Sequence, residues 1–188
     1  MRSSQGATAW AFAAAAAVVT AAPCALGAQQ PADTAAPMAG FERLIGAWRS
    51  GSTVQVFEWG PGRLAVRARS HLTAEEGSRQ VSEGLFLHDP LRDEVRGYFV
   101  AVEMPVSYFE YSVDWQGDVL VAELTTTDVE GRTQRFIERW SFVEADRFLW
   151  TLLAGADGAD SAPIMSAEFE RVVWPPENLD EDAPEGER

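Results

Sequence analysis

The feature that most constrains the fold of this chain is an alternation of side chains with a period of two residues. Phe136, Trp140 and Phe142 alternate with the polar residues Arg135, Arg139 and Ser141, and the segments 63–72 and 119–124 show related alternation. A period of two places successive side chains on opposite faces of a β-strand, whereas an α-helix needs a period of 3.6. The chain is therefore predicted to fold as an all-β protein.

Turn signals divide the alternating region into short segments. Gly60-Pro61-Gly62, Asp89-Pro90 and Glu130-Gly131 lie between segments of about eight to ten residues that are rich in β-forming residues. One short helix is predicted at Met38–Ile45, before the first strand. The predicted strands are 46–51, 53–59, 63–72, 81–88, 94–102, 106–115, 119–128, 132–144, 147–154 and 164–174.

The short connections indicate how these strands are arranged. Consecutive antiparallel strands with tight turns form a meander, and a long meander removes its exposed edges by closing on itself. We therefore predict a single antiparallel up-and-down β-barrel of about ten strands. A β-sandwich is the alternative, but it needs longer crossing connections, and the longest predicted loops are only 73–80 and 155–163.

The composition excludes several kinds of site. Among 188 residues there are 15 basic residues, all of them Arg, and 29 acidic residues, so the formal net charge is −14. Such a charge argues against nucleic-acid binding, which requires clustered bases. One Cys cannot form an intrachain disulfide, and two His provide too few ligands for a zinc site built from His and Cys. We expect neither a metal nor a cofactor, and haem is disfavoured because the late strands contain no His.

The first 28 residues have the pattern of a secretory signal peptide. Arg2 is followed by an apolar run at 10–22, and small residues end at Ala28. A membrane anchor is the first alternative, but the run is shorter than the ~20 residues that span a bilayer; lipidation at Cys24 is the second. Cleavage near Ala28 would leave a thiol-free chain in the periplasm or outside the cell.

The remaining chain divides by composition into three parts. Residues 29–37 are rich in Pro and Ala and are predicted to be a linker. Residues 38–174 are predicted to form the barrel domain, whose size suits a single core. Residues 175–188 carry six acidic residues and three Pro, and we expect them to form a disordered acidic tail.

Both ends of the predicted barrel resemble a known superfamily. Gly46-Ala47-Trp48 follows the short helix and matches the Gly-x-Trp signature of lipocalin-like (calycin) barrels, and Arg171 stands in the last strand. The segments 56–60, 81–84, 97–101 and 138–142 resemble an uncharacterised family of bacterial secreted lipocalin-like proteins. The resemblance implies a barrel that Trp48 closes at one end, with Arg171 packed over its ring, and it implies no activity.

Three carboxylates interrupt apolar strand faces and are candidate ligand-lining residues. Glu58 alternates in step with Val54 and Val56, Glu83 with Leu85, and Glu138 with the aromatic face of its strand. A buried carboxylate is costly unless it has a partner. Each could therefore orient a ligand or act as an acid or base; alternatively, each is paired with an interior Arg or lies near a strand end.

Aromatic residues supply the other candidates for the lining of a ligand cavity. An aromatic-rich set consists of Tyr98, Tyr108, Tyr111, Trp59, Trp115, Trp140 and Trp150. From it, Tyr98, Tyr108 and Trp140 are assigned to the lining, although aromatic side chains also simply fill small barrels. Arg67, Arg69 and His71 share one strand face and could bind an anionic head group; the alternation favours a solvated outer face for them instead.

The sequence leans against an enzyme. It contains no Cys after the first 28 residues, no G-x-S-x-G motif and no Gly-rich phosphate loop. The leading hypothesis is a binding protein for a small apolar ligand, acting as a monomer or weak dimer, without nucleic acid and without membrane insertion after cleavage. A filled structural barrel is the second hypothesis, and an isomerase or hydrolase that uses interior carboxylates is the third.

Overall fold

The computed structural model describes residues 37–155 and 162–175. In this part of the chain a 3-10 helix at Ala39–Arg43 precedes the strands, and a second short one lies at Pro61–Arg63. The strands are β1 Gly46–Ser50, β2 Thr53–Trp59, β3 Ala65–Ala74, β4 Gly77–Asp89, β5 Glu94–Ala101, β6 Tyr108–Gln116, β7 Val119–Thr127, β8 Thr133–Glu144, β9 Arg147–Ala154 and β10 Met165–Val172.

These strands form a closed antiparallel barrel. Each strand pairs with the next along the chain, and β1 also pairs with β10, which closes the sheet. Closure gives every strand two neighbours, so the sheet has no free edge. The predicted fold class, an all-β up-and-down barrel, is confirmed. The signal peptide, most of the linker, and the tail beyond Pro175 lie outside the described residues.

The hairpin between β3 and β4 differs from the sequence prediction. The segment 73–80 was predicted as a loop, but both strands continue through it and meet at a tight turn before Gly77. A register shift between Ser70 and His71 precedes this extension. Backbone pairing across the hairpin extends both strands, although the segment lacks apolar alternation. Polar side chains are compatible with these strands because most of them are exposed to solvent here.

The 3-10 helix and the start of β1 fill one end of the barrel, here called the helix-capped end. Phe41 and Trp48 are fully buried. The Phe41 ring packs 5.2 Å from Phe86, and the Trp48 ring lies 4.8 Å from Phe148. The Trp48 Nε1–H donates a hydrogen bond of 2.7 Å to the carbonyl of Leu44. A large ring with a satisfied polar atom therefore closes this end.

Arg171 lies over Trp48, with its guanidinium carbon 4.2 Å from the ring centroid. Its two terminal nitrogens donate to the carbonyls of Ile45 (2.6 Å) and Arg43 (2.9 Å). Gly46 allows this approach: its φ is +124°, and a Cβ atom there would lie 2.6 Å from Arg171 Nη1. The glycine and the tryptophan of the Gly-x-Trp segment thus have distinct physical roles.

Candidate functional site

A cavity of about 120 Å³ lies inside the barrel, further along β8 from the helix-capped end than Phe142. Its wall combines aromatic rings with a few polar side chains. It is formed by Gln55, Phe57, Ala68, Arg69, Ser70, Ser82, Phe86, Phe99, Tyr111, Glu138, Trp140 and Trp150. A mostly apolar cavity with a small number of polar groups is the usual form of a small-molecule site.

Two glycines shape the aromatic part of this wall. Gly84 on β4 lies against the Phe99 ring, and Gly97 on β5 lies against Phe86, whose ring carbons would be 2.7 Å from an added Cβ atom. The Phe86 and Phe99 rings are 4.9 Å apart, and Tyr111 lies 5.2 Å from Phe99. Without side chains at these two positions, the rings can lie close to the sheet, which leaves space in the lumen.

Glu138 is the carboxylate of the cavity. Phe136, Trp140 and Phe142 share its face of β8, and it is only 7% exposed. Tyr111 Oη donates to one carboxylate oxygen at 3.3 Å, and Trp150 Nε1–H donates to the other at 3.0 Å. Glu138 makes no ion pair with any described residue, so two neutral donors provide its partners.

Burial dominates the electrostatics of this group. Desolvation raises the pKa of Glu138 to about 7, and the hydrogen bonds from Trp150 and Tyr111 offset only part of that rise. The pKa of Tyr111 is raised well above its usual value by its own burial and by the neighbouring carboxylate. Tyr111 therefore remains a neutral donor, while Glu138 exchanges its proton near neutral pH.

Three further polar atoms of residues on the cavity wall have no hydrogen-bond partner. They are Trp140 Nε1 and Arg69 Nε, which are donors, and Gln55 Oε1, which is an acceptor. An unpartnered buried polar atom costs about 1–3 kcal/mol, because it has lost its bonds to water. A ligand that supplies one acceptor and one donor would recover this free energy.

Of the predicted ligand-lining residues, Glu138 and Trp140 border the cavity. Glu58 and Glu83 do not, and their assignment to the lumen was wrong. Arg69 donates to Glu58 on the outer face. Glu83 accepts bonds from Gln80 (2.9 Å) and Arg67 (2.7 Å), which lower its pKa. Each acid therefore has an Arg partner, but the pair lies on the outer face and not in the interior, as the alternative prediction had it.

Tyr98 and Tyr108 are corrected in the same way. Their side chains are 47% and 42% exposed. Tyr98 is flanked along β5 by Gly97 and Phe99, which face the interior, so Tyr98 points outward. Neither tyrosine contributes to the cavity wall.

These errors share one physical cause: the more apolar strand face is not always the inner one. On β4 the inner face carries Ser82, Gly84 and Phe86, and the outer face carries Leu85 beside Glu83. Small inner residues are needed because aromatic rings from neighbouring strands occupy the space next to them.

On β2, the apolar outer residues Val54 and Val56 are buried beneath Val172 and Trp174. A chain segment outside the barrel therefore covers them, and burial alone does not reveal which way Glu58 points. Arg67 and Arg69 lie on the outer face in their ion pairs, and His71 packs against Trp174, with ring centroids 5.3 Å apart. The anionic head-group hypothesis for these three residues is not supported by this placement.

Sequence reasoning did not assign Tyr111, Trp150 or Gln55 to the site. Tyr111 and Trp150 were recognised only as members of an aromatic-rich set. Tyr111 lies two residues from Val113 on β6, and Trp150 lies two residues from Phe148 on β9, so each shares a strand face with a buried apolar residue. This spacing would have placed both on the inner face. Gln55 is in step with Phe57 and out of step with Val54, which is the signal for an inward-facing polar residue.

The described residues contain no group of three or more His, Cys, Asp or Glu arranged to hold a metal ion. Within the same ranges, 37–155 and 162–175, no helix is both long and apolar enough to cross a membrane. A scan against protein-family models finds no match to the chain, and a search of the curated proteins finds none either.

Proposed function

We propose that this chain is an exported, lipocalin-like binding protein that holds a small, largely apolar ligand in the cavity around Glu138. The observation that carries the proposal is the pair of unpartnered polar atoms, Trp140 Nε1 and Gln55 Oε1, on the wall of one interior cavity. A barrel that was merely filled would gain stability from apolar side chains at these positions.

The size of the cavity limits the ligand. About 120 Å³ is well below the ~300–1,000 Å³ of cavities that hold drug-sized molecules. It is close to the ~150 Å³ of an engineered cavity that binds benzene. The ligand, or the part of it that enters the lumen, is therefore a single small ring or a branched group of similar size.

The helix-capped end supports the calycin part of the proposal. The contact of Arg171 with the Trp48 ring, and the bonds of Arg171 to the carbonyls of Arg43 and Ile45, tie the last strand to the segment before the first. This is the arrangement that the Gly-x-Trp resemblance implies. It leaves the rest of the lumen available for binding.

Export is proposed from residues 1–28 alone. Mass spectrometry of the protein isolated from the periplasm or medium of a bacterial host tests it. We expect a chain that begins after Ala28; a full-length chain found only in the cytoplasm would contradict this part of the proposal.

Binding is tested by native mass spectrometry of the purified protein, followed by calorimetric titration with benzene-sized probes such as phenol. Ala68 lines the cavity and is 6% exposed, so Ala68→Leu fills the space without changing a polar group. We expect this variant to lose binding. Ser166→Leu is the matched control, because Ser166 is an exposed residue of β10. Equal binding by the wild type and Ala68→Leu would contradict lumen binding and favour the filled structural barrel.

An enzyme that moves a proton is the second candidate, favoured by the position and raised pKa of Glu138. A carboxyl whose pKa is about 7 can both accept and donate a proton at neutral pH. Glu83 lies outside the lumen, so the cavity offers one carboxyl and not two. The arrangement suits an isomerase with a single acid–base group better than a hydrolase that needs a carboxylate pair.

A further inference from the structure

The charges inside the cavity are unbalanced. The carboxylate of Glu138 is buried, and its partners Tyr111 and Trp150 are neutral. Arg69 borders the cavity, but it bonds to Glu58 on the outer face. Among the described residues, no cationic side chain forms an ion pair with Glu138. A positive charge that entered the cavity would therefore meet an anion that no Arg already neutralises.

The rest of the wall is also suited to a cation. The aromatic rings of the wall carry partial negative charge on their faces and attract organic cations. Three of them, Phe86, Phe99 and Tyr111, form a packed group with centroid distances of 4.9–5.8 Å, and the others are Phe57, Trp140 and Trp150. An aromatic surround with one carboxylate is the arrangement in which proteins recognise ammonium groups without a hydration shell.

An anionic ligand is disfavoured by the same wall. It would be placed beside the buried Glu138 carboxylate, and repulsion between like charges is stronger in buried surroundings than in bulk water. A neutral ligand would gain the contacts with the rings but nothing from the carboxylate as a charge. The combination of rings and carboxylate thus discriminates among ligands by their charge.

Building on the proposed function, we infer that the lumen ligand is a small organic ammonium compound, whose alkylated nitrogen lies among the aromatic rings and opposite Glu138. The cavity volume of about 120 Å³ is of the order of a trimethylammonium group with a short substituent. The alkylated nitrogen needs no donor from the protein, and a hydroxyl on the short substituent could supply the acceptor and the donor that Trp140 Nε1 and Gln55 Oε1 lack.

The test compares two probes of equal shape and different charge. Choline carries a quaternary nitrogen, and 3,3-dimethyl-1-butanol, here called dimethylbutanol, has a carbon atom in its place. Calorimetric titration of the wild type at about pH 8.5, where Glu138 is ionised, is expected to show choline binding about tenfold more tightly. Glu138→Gln preserves the shape of the side chain and should remove this preference, so that the two probes bind with about equal affinity. Glu83→Gln, which removes an exposed carboxylate, is the matched control and should bind both probes as the wild type does.

A second measurement needs only the wild type, so it holds even if Glu138→Gln is unstable. Choline affinity should rise as the pH is raised through about 7, because the carboxylate forms there, and dimethylbutanol affinity should stay constant. Besides Glu138, the titratable groups that border the cavity are Tyr111, whose pKa is raised well above its usual value, and Arg69, which forms an ion pair with Glu58.

The outcomes separate this inference from the proposed function. If both probes bind equally, or dimethylbutanol binds more tightly, the cavity is a binding site but the ammonium assignment is wrong. A choline affinity that does not change with pH would also overturn the assignment. If neither probe binds, the ammonium assignment fails, and lumen binding of ligands of this size fails with it.

Discussion

Two charged side chains, Arg171 and Glu138, are associated with the barrel interior, and their surroundings differ. Arg171 donates to two backbone carbonyls and covers the Trp48 ring. Glu138 has only two neutral donors and lies on a cavity. Neither group forms an ion pair with a described residue, but Arg171 is exposed to solvent and joins the last strand to the segment before the first, whereas the Glu138 carboxylate is buried beside a cavity. The first arrangement serves the architecture, and the second leaves a buried group that a ligand could contact.

The two buried tryptophans repeat this contrast. Trp48 and Trp140 are 0% and 5% exposed. The Nε1–H of Trp48 bonds to the carbonyl of Leu44, and that of Trp140 has no partner. Folding requirements explain the first residue completely. The second residue has an Nε1–H without a hydrogen-bond partner, which packing alone does not explain. The cavity that Trp140 borders is therefore the stronger candidate for a functional site.

The largest expected effect tests the architectural side. Trp48→Ala should reduce the free energy of unfolding by about 3–5 kcal/mol, because it removes a fully buried ring and leaves a void. Urea denaturation followed by circular dichroism measures it. Trp174→Ala removes a partly exposed ring on the outer wall and should cost clearly less; equal losses would show that Trp48 does not close the barrel.

The next effect tests the cavity through its dependence on pH. The folded protein binds a proton at Glu138 more tightly than the unfolded chain does, since the pKa rises from 4.5 to about 7. The contribution of this group to stability is therefore full below about pH 4.5 and declines as the pH rises to about 7, by roughly 3 kcal/mol in total.

Glu138→Gln should remove that decline, because it has no proton to lose. Denaturation midpoints measured in steps between about pH 5 and 8 give the comparison. Glu83→Gln, which removes an acid on the outer face, should keep the wild-type slope. A wild-type slope that persists in Glu138→Gln would assign the titration to a different group.

A smaller effect is expected from Arg171. Arg171→Ala removes a cation–π contact and the bonds to two carbonyls, and we expect a loss of about 1–2 kcal/mol. Arg171→Lys keeps the charge but lacks the planar fork of donors, so it should recover only part of the loss. Thermal unfolding of the wild type, Arg171→Ala and Arg171→Lys measures these differences. If Arg171→Ala were as stable as the wild type, the contact between Arg171 and Trp48 would not contribute to stability.

The smallest effect concerns the unpartnered indole. Trp140→Phe removes the Nε1–H, and the loss of ring volume opposes the gain from removing an unsatisfied donor. We expect the free energy of unfolding to change by less than about 1 kcal/mol, and we expect the binding free energy of the probes named above, phenol and choline, to change by more. Calorimetry of unfolding and of binding on the same preparation measures the two quantities. An unchanged affinity would show that the indole donor does not bind a ligand.

The barrel was predictable from the sequence because strand periodicity and turn residues act locally. The outward placement of Glu83 was not predictable from apolarity, since the inner face of β4 depends on rings that β5 and β6 supply. Glu58 was misplaced because Trp174, distant in sequence, covers the valines beside it. Glu138 was assigned correctly to the inner face because its strand carries large rings there and polar residues opposite.

Gly84 and Gly97 have a consequence for how such a protein could diversify. A methyl group at Gly97 would overlap the Phe86 ring and displace it, whereas one at Gly84 would meet the Phe99 ring and also the backbone carbonyl oxygen of Tyr98 at 2.4 Å. A single exchange of Gly for Ala at position 97 could therefore change the volume of the cavity while Glu138, Tyr111 and Trp150 stay in place. Related barrels could in this way differ in the size of the lumen, while position 84 must stay glycine to keep the two strands paired.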